Sequence, residues 1–414
     1  PKEELDEVLQ EKFGAFHGVF RPTILTIIGV MLYLREGWLV GHAGLAGAIL
    51  IILTCYLITG ATALSISSIT TNIRMGSGGV FSIVSQSLGL EIGGAVGIPL
   101  YLAQGLSAAM YIHGFLEGWL FIFPEHEAYK YLILCSIFAV AFGLNLISTK
   151  FAFKVQMLVM FLIIGALFSM FSGLTVEGRT LQHPQLWGSF SEGHSYWTLF
   201  AVFFPAATGI MVGSSMSGSL TNARKSIPVG TMAAWGVSLL VYITIAIFYS
   251  YIATPAELVE STTIGIKRAR WPEMVQVGLL ASCFMATVSS LAAAPRVLQA
   301  LASHSLVPKS ETLAKTQNHE PRKAMYFTGL MVFVAMILGD LNAIAQILTM
   351  FFLLTYFTIN LVLLIEQSLE MISFRPAFSI PRIVPVIGSL ACLFAIVIIS
   401  PMVGLIAIAF IIGL

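Results

Sequence analysis

The sequence predicts an all-α integral membrane protein, built as two inverted five-helix repeats followed by two further helices. Composition is the first ground: the 414 residues are 57% hydrophobic and only 10% charged, and mean hydropathy is +0.91. Soluble domains carry about 25% charged residues. Run length is the second: the apolar stretches are of helix length, not the ~10-residue alternating segments of a membrane barrel. The third is a repeat. Gly29-Val30-Met31 follows Thr26 by three residues, and Gly209-Ile210-Met211 comes directly after Thr208. Each string sits in the middle of an apolar segment, one in each half of the chain, and paired Gly-centred breaks point to an inverted-repeat secondary transporter with its site at the breaks.

The hydropathy pattern predicts spans near 20–41, 44–69, 91–120, 130–148, 153–174, 196–219, 228–253, 273–301, 325–340, 342–367, 382–400 and 401–414. The last falls short of the ~20 residues needed to cross. Residues 1–19 read as a charged, mildly amphipathic cytoplasmic segment without a cleavable signal peptide. Residues 20–176 then form the first repeat, 177–367 the second, and 368–414 the last two spans. Five is odd, so the repeats run in opposite directions. With the N-terminus cytoplasmic, most of the 21 Lys and Arg residues fall inside, as the positive-inside rule requires. A multi-pass protein of the cell membrane is expected. Met75-Gly76-Ser77-Gly78-Gly79 reads as an inner re-entrant loop ahead of an amphipathic stretch to Leu88. As a phosphate cradle it is weak, because no Lys follows and no strand precedes.

A net charge of +1 implies no nucleic-acid partner. Cys55, Cys135, Cys283 and Cys392 all lie in apolar runs and form no CxxC pattern, so they read as small buried apolar residues. No Ser-His-Asp set, paired carboxylates or metal cluster stands out, which argues against an enzyme and implies no cofactor. His113 fits a hydrogen-bonded structural imidazole better than a proton relay.

In lipid every backbone donor and acceptor needs a partner. A helix broken at mid-membrane bares carbonyls on one side and N–H groups on the other. The amides of Val30 and Met31, and those of Ile210 and Met211, would then begin half-helices with partial positive charge, suited to an anion. The carbonyls of Thr26, Ile27, Pro205 and Thr208 suit a cation. Pro205 lacks an N–H and helps unwind its segment. Singly, each glycine is better explained by close helix packing; at matched depth in both repeats, the break is the better explanation.

Tyr111 and Tyr356 place phenols at mid-membrane, where each needs an ion or a carbonyl. Arg35 and Glu117 are charges in the outer halves of spans one and three, costly unless paired or hydrated. A salt bridge acting as an extracellular latch is expected; two snorkelling side chains are the bland alternative. Glu36 is the neighbour of Arg35, but adjacent helical residues do not face each other.

At these residues the chain resembles the cation-chloride cotransporters of the amino acid-polyamine-organocation superfamily, with the LeuT-type fold. The matching strings are IIGVMLYLREGWLVGHAG (27–44), LEIGGAVG (90–97), AAMYIHGFLE (108–117), FFPAATGIMVGSSMSGSL (203–220), KSIPVGT (225–231), AAAPRVLQALA (292–302) and FFLLTYFTIN (351–360). The resemblance implies one chloride at Gly29, Val30 and Met31, and another at Gly209, Ile210, Met211 and Tyr356. It implies potassium at Tyr111, Pro205, Thr208 and the carbonyls near Thr26 and Ile27, and an outer gate at Arg35 and Glu117. The sequence departs from the family in two places. Thr26 stands where Asn is usual. The span-eight Ser-Ser pair of sodium-coupled members falls on Met285 and Ala286, a degenerate sodium site, and Ile28 stands where those members have Trp. Ser289 and Ser290 lie nearby. The missing hydroxyl pair and Ile28 favour sodium-independent potassium-chloride members, whereas Thr26 makes potassium binding less secure and is the best support for a non-transporting subunit; the lack of an Asn-x-Ser/Thr sequon with short outer loops leans towards a microbial homologue.

The expectation is an alternating-access symporter of K+ and Cl−, which are substrates and not cofactors. Spans 1, 2, 6 and 7 would rock against spans 3, 4, 8 and 9. The expected partners are the lipid bilayer, the two ions and, in a homodimer, a second copy. The alternatives are sodium-dependent cation-chloride cotransport, an amino acid or polyamine permease, and a non-transporting partner or sensor subunit with the same fold.

Overall fold

A computed structural model describes residues 14–72, 79–147, 149–190, 193–215, 220–317, 320–369, 376–402 and 405. Among these, eight helical stretches are long and apolar enough to cross a membrane, and Tyr196–Met211 and Ile383–Ile399 are shorter apolar helices. Residues 75–78 of the expected re-entrant loop 75–79, and nearly all of the expected twelfth span, lie outside the described residues.

Span one is assembled from pieces. After a π-helical turn at Phe16–Phe20, α1 runs Arg21–Ile27, α2 runs Val30–Leu34 and α3 starts at Glu36. Between α1 and α2 the backbone leaves helical geometry at Ile28 (φ −81°, ψ 76°) and Gly29 (φ −130°, ψ −146°). The helical path bends again at Arg35. α3 (Glu36–Asn72) is two helices joined at Gly44, whose φ is +73°, a left-handed conformation natural to glycine. Space requires glycine there as well: a Cβ would sit 2.6 Å from the backbone nitrogen of Gly188. The irregular segment beside it satisfies the helix ends, with Leu45 N–H donating to Gln185 C=O and Gly188 N–H to Ala43 C=O, both at 2.8 Å. Gly44 thus separates spans one and two.

The amphipathic α4 (Val80–Leu88) leads into α5 (Leu90–Ile122), span three. α6 (Lys130–Ile147) and α7 (Thr149–Ser172) complete the first repeat. Span six is α8 (Tyr196–Phe203), a 3-10 segment at Phe204–Met211, and α9 (Val212–Ser215). The sequence places a helix start directly after Gly209; α-helix resumes only at Val212. Pro205 cannot donate, and the run adopts the tighter i→i+3 pattern. Ile210 and Met211 therefore lie inside a 3-10 run and do not open a new α-helix.

α10 (Ala223–Ile252), the short α11 (Pro255–Glu260) and α12 (Ile264–Lys267), α13 (Pro272–Ser303), the short α14 (Ser310–Leu313), α15 (Arg322–Leu338) and α16 (Leu341–Ser368) complete the second repeat; α17 (Ile383–Ile399) follows. α3 packs along α10, joining spans two and seven, and α13 packs along α5 and α7. The first pair falls within the expected moving group of spans 1, 2, 6 and 7; the second joins span eight to span three of the expected scaffold and to span five, which is in neither group. The buried share of each membrane window falls from 83% in span one to 22% in Pro124–Ile147. The broken helix is thus at the centre, and α6 is at the lipid-facing rim, with Leu132, Val140 and Ile147 exposed.

Candidate functional site

The two breaks touch. A Cβ on Gly209 would lie 2.7 Å from Ile27 Cγ1 and 3.1 Å from Ile27 N, so only glycine lets the 3-10 segment close on the end of α1. Gly29 faces the ring of Tyr111, whose Cε1 would be 3.6 Å from an added Cβ. Phenols then converge on the bared carbonyls. Tyr111 Oη donates to Thr26 C=O at 3.3 Å, Tyr356 Oη to Thr208 C=O at 2.8 Å, and Tyr242 Oη to Ile27 C=O at 2.7 Å. Thr208 Oγ1 donates to Pro205 C=O at 2.9 Å. The carbonyl oxygens of the predicted cation site therefore sit beside hydroxyls that can turn between donating to them and facing an ion.

At the first break, Gly29 N–H donates to Ile27 C=O at 2.9 Å, and no side chain caps the following turn. The amides of Val30 and Met31 belong to that uncapped first turn. Tyr356 is fixed from behind. Asn360 Nδ2 donates to Tyr356 C=O and to Thr62 Oγ1, both at 2.8 Å, while its Oδ1 accepts from Ser65 Oγ at 2.7 Å. This buried amide, fully satisfied, ties α16 to α3.

A small cavity of about 20 Å³ lies at the breaks, and Thr26, Tyr111, Thr208, Gly209, Gln104 and Ser290 contribute to its wall. Gln104, Tyr242 and the cavity-facing role of Ser107 are absent from the sequence reading. Gln104 is only 6% exposed, yet neither its Nε2 nor its Oε1 has a hydrogen-bond partner. A carboxamide in the middle of an apolar span is itself a signal, since such residues mark pathways. Tyr242 carried the same signal.

Met285 and Ala286 are buried and bring no ligating atom. The hydroxyls of Ser282 and Thr287 donate to Leu279 C=O and Cys283 C=O of their own helix. Ser289 and Ser290 face the cavity instead. His113 Nε2 donates to Met336 C=O at 3.0 Å, a structural tie between α5 and α15.

Arg35 and Glu117 form a two-pronged ion pair: Nη2 to Oε1 at 2.7 Å and Nη1 to Oε2 at 2.9 Å. Arg35 Nε also donates to Asn342 Oδ1 at 2.7 Å, and Nη1 donates to Leu34 C=O at 3.0 Å. One guanidinium at the bend of span one therefore holds spans three and ten together. Asn342 was missed by the sequence reading because it lies at the first turn of α16, where a polar residue is unremarkable. Among the described residues no cluster of three metal-ligating side chains occurs.

Comparison with known families matches residues 18–414 to the amino acid permease family. The chain belongs to that family. As an amino acid permease family member it is a multi-pass membrane protein with the LeuT-like fold, a transporter scaffold and not an enzyme. Among curated proteins it is similar to solute carrier family 12 member 8 of Xenopus laevis, 32% identical over 361 residues that cover 84% of this chain and 50% of that protein. It is also similar to cation-chloride cotransporter 1 of Arabidopsis thaliana, 30% identical over 415 residues (88% of this chain, 42% of that one). Human solute carrier family 12 member 2 is 27% identical over 462 residues, covering 97% of this chain and 38% of its own length. Within the permease family the chain thus lies on the branch of these carriers and cotransporters. It spans half or less of the length of these three relatives.

Proposed function

We propose that the protein is a symporter that couples chloride to a monovalent cation, potassium, by alternating access and without sodium. The observation that carries this reading is the meeting of two interrupted helices, with Gly209 seated against Ile27 and phenols of Tyr111 and Tyr356 on the carbonyls of Thr26 and Thr208. Thr26, Ile27, Pro205, Thr208 and Tyr111 would supply oxygens to the cation. The amides of Gly29, Val30 and Met31 would hold one chloride; those of Gly209, Ile210 and Met211, with Tyr356, would hold a second. The resemblance of these strings to the cation-chloride cotransporters, and the printed name of the plant relative, support the choice of ions.

Cation and anion in one site offset each other's desolvation. At ~4 Å and an effective dielectric of ~20 their attraction is about 4 kcal/mol, enough to make joint occupancy favourable. Arg35 and Glu117 would close the outside while the cargo is held. Met285 and Ala286, which offer no hydroxyl, support sodium independence. The test is rubidium uptake into proteoliposomes. It should require chloride, persist when sodium is replaced by an organic cation, and ignore added amino acids.

Gln104 favours a second reading. A side chain with an unmet donor and an unmet acceptor side by side fits a solute that offers both, as an amino acid does. Competition by such solutes, with no chloride requirement, would select this reading over salt symport.

A further inference from the structure

Glu36 opens α3, one residue beyond Arg35, and is 0% exposed. Neither carboxyl oxygen has a hydrogen-bond partner. Among the described residues the ion pairs are Arg35–Glu117 and Arg268–Glu257, and Glu36 is in neither. Arg35 points its whole guanidinium at Glu117, Asn342 and Leu34.

The groups around Glu36 are phenols. Tyr56 of α3 and Tyr242 and Tyr249 of α10 are within electrostatic reach. Tyr33 of α2 is within reach of Tyr249. Tyr249 packs so closely that a Cβ on Gly37 would sit 2.8 Å from its ring, and it donates to Tyr33 C=O at 3.2 Å. The Tyr33 hydroxyl is buried and without a partner, and the buried Tyr56 hydroxyl meets Ser238. Farther along α3, His42 stacks edge-on with Trp38 and His194. α11, also packed on α3, carries Glu257, which is paired with Arg268, and Glu260; among the described residues no ion pair reaches the Glu36 carboxyl. A carboxylate in such a place neutralises itself before it stays charged, and an ionisable side chain inside a membrane bundle is a functional site by default. The close packing leaves a proton as the fitting ligand.

We infer that Glu36 is a proton-binding site linked to the extracellular side, so that a proton is a further ligand of the transport cycle. When the Arg35–Glu117 latch is open, Glu36 meets water as a carboxylate. As the latch closes, the carboxylate takes one proton from that water and is buried as the neutral acid; reopening releases it. Acid outside therefore assists closure, and a rise in pH opposes it. The inference rests on the reading of Arg35 and Glu117 as the outer gate, and not on which solute is carried.

Infrared spectroscopy of the purified protein at neutral pH tests it without transport. The carbonyl stretch of a neutral carboxylic acid should be present and should diminish in Glu36→Gln; spectra that superimpose in that region overturn the inference. Proteoliposome uptake supplies a second test on the unaltered protein. Rubidium uptake should change several-fold from mildly acidic to mildly alkaline external pH, and the profile of Glu36→Gln should be flat. A flat profile in the unaltered protein, or the same slope in Glu36→Gln, also overturns it. An acid band without any rubidium uptake counts against salt symport and leaves the proton site standing.

Discussion

The Tyr242 hydroxyl donates to the Ile27 carbonyl at 2.7 Å, while the Tyr111 hydroxyl reaches the neighbouring Thr26 carbonyl at 3.3 Å. Two consecutive carbonyls of one break are thus held from opposite sides, by α10 and by α5. The two bonds differ in kind. The shorter is fully buried, so Tyr242→Phe removes one of the two hydrogen bonds that the Ile27 carbonyl accepts, the other coming from Gly29 N–H, at a cost of about 0.5–1.5 kcal/mol. The longer is weak, and Tyr111 is the phenol that faces the cavity. Tyr111→Phe should raise the rubidium concentration for half-maximal uptake about tenfold, the equivalent of ~1.4 kcal/mol, with little change in melting temperature. Tyr242→Phe should lower the melting temperature. A thermal-shift assay beside uptake kinetics separates the two.

The latch should tolerate no conservative exchange. Arg35 uses three nitrogens on Glu117 and Asn342, a planar fork that a lysine ammonium cannot reproduce. Hydrogen bonds to charged groups are each worth about 1.5–3 kcal/mol. Arg35→Lys and Glu117→Gln should each cut uptake by roughly ten- to a hundredfold, at 1.4 kcal/mol per decade. They should also expose engineered cysteines near Thr26 to a membrane-impermeant outside reagent. Unchanged labelling would assign the pair to stability alone.

The architecture was legible because its signals are local. Apolar runs of helix length, and a glycine triplet in each half, suffice to place spans and breaks when lipid leaves the backbone no partner but itself. Arg35 and Glu117 were legible as a pair for the same reason: two charges at similar depth have few ways to be satisfied. What stayed hidden depends on three-dimensional facing. Asn342 and Tyr242 reach the site from distant helices, and neither has a spacing that announces it. Gln104 stands seven residues before Tyr111, two turns down the same face of α5, so helical periodicity would have placed it in the cavity. The second break was misjudged in form. Proline removes one donor, but whether a freed stretch gapes or tightens into 3-10 turns depends on packing against Ile27, which sequence does not show.

Gly44 should be among the least replaceable residues for folding. Its φ of +73° costs an alanine roughly 1–2 kcal/mol, and a Cβ would meet backbone of Gly188 at 2.6 Å and Leu186 at 2.7 Å. Backbone cannot swing aside as a side chain can. Gly44→Ala should therefore drop the melting temperature sharply or abolish recovery of folded protein. Gly143 in α6 has nothing within 4 Å of its Cβ position, so Gly143→Ala should be neutral or stabilising by up to ~1 kcal/mol.

Gln104 gives the sharpest separation of stability from transport. Its amide is 6% exposed and unmet at both ends, so it weakens the resting protein. An unsatisfied buried polar group costs about 1–3 kcal/mol, and an apolar group of similar shape removes that cost. Gln104→Leu should accordingly raise the melting temperature. If the amide is kept to meet cargo in the cavity, the same substitution should lower uptake. Sites that carry function commonly trade stability in this direction. A fall in both quantities would mark Gln104 as a structural prop. A rise in melting temperature with unchanged uptake would remove it from the transport path. The informative readout is therefore the sign of the two changes together, measured on one preparation by thermal shift and by chloride-dependent rubidium uptake.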